Sequence, residues 1–213
     1  LNKVNSLLEK EVHLLRNTWQ HSKKTFWRYW LATLIIIIIT YLIASLLHLD
    51  AKKFVQGLDK FSSDTTSNKE SYWQGTILLF KNNWTVCFQI LILSLVPVPF
   101  LYTLSLTLTS AITGVVIYLS QKVGMSLFST IVLGLLPHSI LELSVFIITS
   151  CYGGKINQII RGKIMNTFRH DKKNVLSLWE HLKKTCIVFM FVITPFIFIA
   201  AFIEGYITRF LLN

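Results

Sequence analysis

Between Tyr29 and Leu47 the chain runs nineteen residues without a charge, YWLATLIIIIITYLIASLL. At about 1.5 Å of helical rise per residue, that stretch covers most of a hydrocarbon core about 30 Å thick. Inside a bilayer every backbone N–H and C=O must be satisfied within the segment, so such a run has to be helix. It is too long, and lies too far into the chain, for a cleaved signal peptide. The rest of the sequence agrees: 53% of the 213 residues are hydrophobic and the mean hydropathy is +0.55. The expected fold is an all-α integral membrane bundle.

The charges divide the chain. Six Lys/Arg and two acidic residues precede Tyr29, while five basic and four acidic residues lie between His48 and Asn83. From Trp84 to Ser150 only Lys122 and Glu142 are charged. Residues 151–184 then carry eight basic and two acidic residues, and only Glu204 and Arg209 follow. Basic loops stay cytoplasmic, so the N-terminus and the 151–185 segment are expected inside and the 49–80 loop outside. An odd number of crossings must join 83 to 151, and VPVP (96–99) and SQKVG (120–124) divide that region into three. The reading is five transmembrane helices in one domain, near 28–48, 81–97, 99–120, 127–150 and 186–208, N-terminus in and C-terminus out. The stretch 72–83 is expected in the interface, and FSSDTTSNKES (61–71) in a mobile external loop.

The cytoplasmic segments are amphipathic. Val4, Leu8, Val12, Leu15 and Trp19 recur at helical steps within 1–27. Ile156, Ile159, Ile160, Ile164 and Phe168 repeat the pattern, as do Val175, Leu178, Trp179 and Leu182. With Lys and Arg on their flanks, these helices suit the inner leaflet and its anionic lipids. The same face, through Ile156, Ile160, Ile164, Phe168 and Trp179, suits a protein partner such as an ATPase subunit. The net charge of +11 sits mainly in these segments, so lipid headgroups account for it better than nucleic acid does. Cys87, Cys151 and Cys186 have no zinc or disulfide spacing and read as packing residues. No phosphate-binding glycine loop, Ser/His/Asp arrangement or cofactor motif is present, and no enzymatic activity is expected.

One apolar stretch is not quiet. In LLPHSILELS (135–144) His138 and Glu142 stand four apart, on one helical face, just after Pro137. Pro137 lacks a backbone donor and is expected to bend the span there. An ionised carboxylate at mid-bilayer costs about 3 kcal/mol, so Glu142 needs a partner. His138 is the nearest, and Glu204 is the other acid expected within a span. The three read first as a buried polar clamp between the fourth and fifth helices, with a proton relay or a metal site as alternatives. Depth counts against a metal: on straight helices His138 lies about 16 Å below the outer end of its span and Glu204 about 6 Å below its own.

PHSILEL (137–143) resembles the Pro-His-Gly-x-x-Glu-Leu signature of the stage II sporulation protein M family, with Ser139 in place of Gly. FKNNWTV (80–86) and AAFIEGY (200–206) resemble that family's entry to its second span and its late Ile-Glu pattern. The likeness runs from about Phe80 to Tyr206. PVP (97–99) replaces the usual Gly-rich turn and Ser144 stands where Pro often follows, which marks a divergent branch. The resemblance implies a multi-pass protein of the bacterial cytoplasmic membrane that works with partners. The expected role is a permease-like or accessory component of an ABC-type export or antimicrobial-peptide secretion and immunity complex. The alternatives are a scaffold for cell-wall hydrolases, as in sporulation engulfment, and an intramembrane metal- or proton-dependent enzyme.

Overall fold

A computed structural model describes residues 2–50, 72–124, 126, 136–169 and 174–208, with backbone alone for 2–22, 136–137 and 207–208. Every regular element among them is helical. They are α1 (Asn2–Leu46), α2 (Tyr72–Leu95), α3 (Leu104–Lys122), α4 (Leu136–Thr167), α5 (Leu178–Val188) and α6 (Thr194–Phe202). A π turn, Phe189–Ile193, joins α5 to α6, and another, Ile203–Thr208, follows α6. Among the described residues five helices are long and apolar enough to cross a membrane: Lys23–Leu46, Tyr72–Leu95, Leu101–Lys122, His138–Thr167 and Leu178–Tyr206. The external loop expected over 49–80 falls largely on 51–71, outside the described residues.

Three helices run longer than their charge-free stretches. No Gly or Pro lies between Asn2 and Leu46, so nothing breaks the backbone where the expected cytoplasmic helix 1–27 meets the span. Tyr72–Leu95 is likewise one helix, although Lys81 is exposed within it; a lysine stem can carry its charge along an apolar surface. The 32 residues of α4 measure about 48 Å, well beyond a core of about 30 Å. The charges that begin at Lys155 therefore do not mark where the helix ends. The expected separate helix around 156–168 is the projecting end of α4.

Breaks occur where the chemistry demands them. Pro97 and Pro99 follow α2, and Phe100 takes the left-handed conformation at φ 62° before the 3-10 turn Leu101–Thr103. Gly124, at φ 91°, turns the chain after α3. Pro195 has no N–H for the carbonyl four residues back, and the π turn just before it absorbs the mismatch; the Thr194 hydroxyl donates to the Phe189 carbonyl at 2.9 Å. Ser177 caps α5, its hydroxyl accepting from the Glu180 N–H at 3.5 Å.

Along α1 the packing puts small residues inside and large apolar ones outward. Leu31, Leu34, Ile35, Ile38, Ile39 and Leu42 of α1 are exposed, whereas Thr33 and Ala44 are buried. Helix α1 packs chiefly on α3, and Gly114 is the closest point: a Cβ there would collide with the Thr40 hydroxyl and the Ile37 carbonyl. Helices α2, α4 and α6 form the other half around Ile90, Phe146, Ile147, Ile193 and Ile197. Gly154 of α4 sits against Tyr102, whose hydroxyl meets that of Tyr29 at 2.9 Å.

One buried polar residue ties the halves of a turn together. Asn157 of α4 is 2% exposed, and its amide Nδ2 donates to the carbonyls of Ser94, Val96 and Val98 at 3.2, 2.5 and 3.3 Å. These are carbonyls at and just past the end of α2, where Pro97 and Pro99 supply no N–H and, among the described residues, only the Val96 carbonyl also takes a backbone N–H, that of Val98 at 2.8 Å.

Candidate functional site

At the end of the bundle holding Tyr72 and Tyr206, three ionisable side chains converge. His138 lies in the first turn of described α4, Glu142 one turn further on, and Glu204 within the final π turn. One ligand atom from each, an imidazole nitrogen and two carboxylate oxygens, lies within 4.8 Å of the others. His138 is 7% exposed, and its Nε2 stands 3.9 Å from Glu204 Oε2. Its Nδ1 is buried and has no hydrogen-bond partner among the described residues.

Glu204 is placed by contacts from the neighbouring helix. Gly205 lets α2 approach until a Cβ would collide with the Thr76 hydroxyl. Tyr206 stacks on both Tyr72 and Phe202, with ring centroids 5.8 and 4.7 Å apart. Such aromatic groups suit a membrane–water interface. The unequal depths expected of straight α-helices do not hold here. Among the described residues the fourth span begins at His138 and the fifth ends at Tyr206, so both motifs lie near the same end of the bundle. His138, Glu142 and Glu204 come out level there.

Pro137, expected to bend the span, is the second residue of described α4. The expected bend falls on the stretch before it, 127–135, which lies outside the described residues.

The opposite end carries the expected partner face, in altered form. Ile156 is 1% exposed and packs inside the bundle, so it is not available to a partner. The α-helix continues unbroken from the membrane-spanning part, which turns Ile156 and Ile159 onto the core side. Ile160 is half-buried. Ile164, Phe168 and Trp179 are exposed, Phe168 at 86%. Met165 and Leu176 join them as exposed apolar residues that the helical spacing did not single out. Beside them a cleft of about 240 Å³ is lined by Lys155, Gln158, Asn166, Arg169 and Asn174. Lys183 lies over the Trp179 ring at 5.3 Å.

The three cysteines are free and sit at different depths, Cys87 buried, Cys151 half-buried and Cys186 exposed. Asn157, Thr76 and Gly205 escaped sequence reasoning. For Gly205 a signal was there, a small residue directly after the intramembrane acid in IEGY.

No curated protein and no solved structure matches the chain. The family described as stage II sporulation protein M does, over residues 30–209, a range that takes in most of the first membrane-capable helix, the other four, and His138, Glu142 and Glu204. A multi-pass helical bundle with its Pro-His and Ile-Glu motifs brought to one place, the chain belongs to the stage II sporulation protein M family.

Proposed function

We propose that this protein is a non-enzymatic membrane subunit of an ABC-type export or antimicrobial-peptide secretion and immunity complex in a bacterial cytoplasmic membrane. The observation that carries the reading is the apolar surface at the projecting end of α4 and the start of α5. Phe168 and Trp179 stand exposed there, on a segment rich in Lys and Arg. Exposed aromatic side chains on a structured helical end favour protein contact, since they offer large apolar area at little entropic cost. The chain has no nucleotide-binding motif, so energy for export comes from a partner ATPase docked on this face. Arg161, Lys163 and Lys184, nearer the bilayer, hold anionic lipid phosphates.

Affinity purification of the tagged protein from its host in mild detergent tests this. The expected result is stoichiometric recovery of an ATPase subunit, lost when Phe168→Asp and Trp179→Asp are introduced together while the protein itself stays monodisperse. Recovery of a cell-wall hydrolase in place of the ATPase would favour the scaffold alternative. A protein that emerges alone would overturn the reading.

A further inference from the structure

We propose that His138, Glu142 and Glu204 together bind one divalent cation of the Zn2+ class. The donor set suits that ion. One imidazole and two carboxylates make a three-ligand site of the kind zinc accepts, with the remaining position open to water. Six or more oxygens would be wanted by calcium, and magnesium prefers an octahedral oxygen shell. No thiol belongs to the group, so the soft-ligand metals are disfavoured.

The geometry suits it as well. Ligand atoms around a tetrahedral zinc lie about 3.3 Å apart, given metal–ligand bonds of about 2.0–2.1 Å. The three donors already stand within 4.8 Å of one another. Small rotations of two flexible glutamate side chains close the difference, and no backbone need move.

Two carboxylates at the edge of a low-dielectric bundle, moreover, repel each other, and a divalent ion between them relieves that repulsion. The 3.9 Å between Nε2 and Glu204 Oε2 is too long for a hydrogen bond. The His138 ring is buried, with Nδ1 unpartnered among the described residues. A divalent ion balances both carboxylates and takes one nitrogen of this ring as its ligand. The close approach of Gly205 to Thr76 fixes the segment that carries Glu204, so the site is built before the ion arrives. It lies at the opposite end of α4 from Phe168, and it stands or falls independently of the docking surface.

The test is metal content and binding in the purified full-length protein, tag removed, stripped with a chelator and reloaded with Zn2+ alone. Elemental analysis should find about one zinc per chain. A competing chromophoric chelator should show affinity weakened in both His138→Ala and Glu204→Gln, by at least the roughly 10- to 100-fold that loss of a mere supporting partner costs. Co2+ in place of zinc should give the visible absorption of a four- or five-coordinate site in the wild type, a readout that needs no variant. Absence of stoichiometric metal from the wild-type protein would overturn the proposal and leave a shared proton as the clamp. So would variants that bind zinc as tightly as wild type.

Discussion

Asn157 shows how a single side chain can hold a turn in place. Its amide donates to three carbonyls at the end of α2, in a stretch where Pro97 and Pro99 supply no N–H. Asn157→Leu fills similar volume but strips the donors, leaving the buried Ser94 carbonyl without this partner at about 1–3 kcal/mol. The expected outcome is a clearly lowered Tm in detergent; an unchanged Tm would show that the carbonyls find other donors. Asn157→Asp should be no better, since a carboxylate accepts and cannot donate to carbonyls. Nothing in the sequence marks this residue, because an asparagine among Lys155, Gln158 and Arg161 looks like one more polar group near a membrane edge. His138 and Glu142 are legible for the opposite reason. A charge among apolar neighbours stands out at once, and their four-residue spacing puts them on one face. Glu204 is legible as their partner because it is the other acid within a span, whereas the common level of the three is not, because charge-free runs misplace the ends of the spans.

Between helices, the α1–α3 contact is set by Gly114. Thr40 donates its hydroxyl to the Ile36 and Ile37 carbonyls at 2.8 and 3.1 Å, turning its polar group back onto its own helix. That leaves a shallow surface against which a residue without a side chain can lie. Ser110, one turn earlier on α3, is buried and bonded in the same inward way, to the Leu106 carbonyl at 2.7 Å. Gly114→Leu must push α1 away, at a cost of about 1–3 kcal/mol or more. The same displacement separates Tyr41 from Gln121, whose side chains are hydrogen-bonded at 2.7 Å. Gly114→Leu should therefore lower the Tm in detergent well below that of the parent, while Gly114→Ala, with one methyl to fit, should lower it less. An unchanged Tm for Gly114→Leu would mean the seam tolerates bulk. The number and kind of elements can be read from hydropathy and charge. Their ends cannot, because charge reports the bilayer's edge whereas helix length depends on where Pro, Gly and tertiary contacts stop the backbone. Helix α4 continues about 18 Å past the thickness of a hydrocarbon core, running through Gly153, Gly154 and Gly162 with no proline after Pro137 to stop it.

Across the whole molecule, the two ends differ in charge as well as in structure. Beyond the site end of the described helices stand Lys122, His48 and Asp50, while the other end carries Lys155, Arg161, Lys163, Arg169, Lys183 and Lys184. A segregation this strong sets orientation through the retention of Lys and Arg on the cytoplasmic side. The Phe168 end is therefore expected inside and the His138–Glu142–Glu204 end outside. Two substitutions read the orientation directly, Phe168→Cys and Val123→Cys, each in a background with Cys87, Cys151 and Cys186 changed to Ala. Both positions are exposed at opposite ends of the bundle. A membrane-impermeant maleimide should label the first only in inverted vesicles and the second only in right-side-out ones. The reverse pattern would put the apolar docking face outside, beyond the reach of any cytoplasmic ATPase, and would sink the export-complex reading in one experiment. It would leave the cation site intact but change its supply. An outward site exchanges with whatever metal the cell's surroundings offer, whereas an inward one competes with cytoplasmic chelators, so the same three side chains would need a much higher affinity to stay filled.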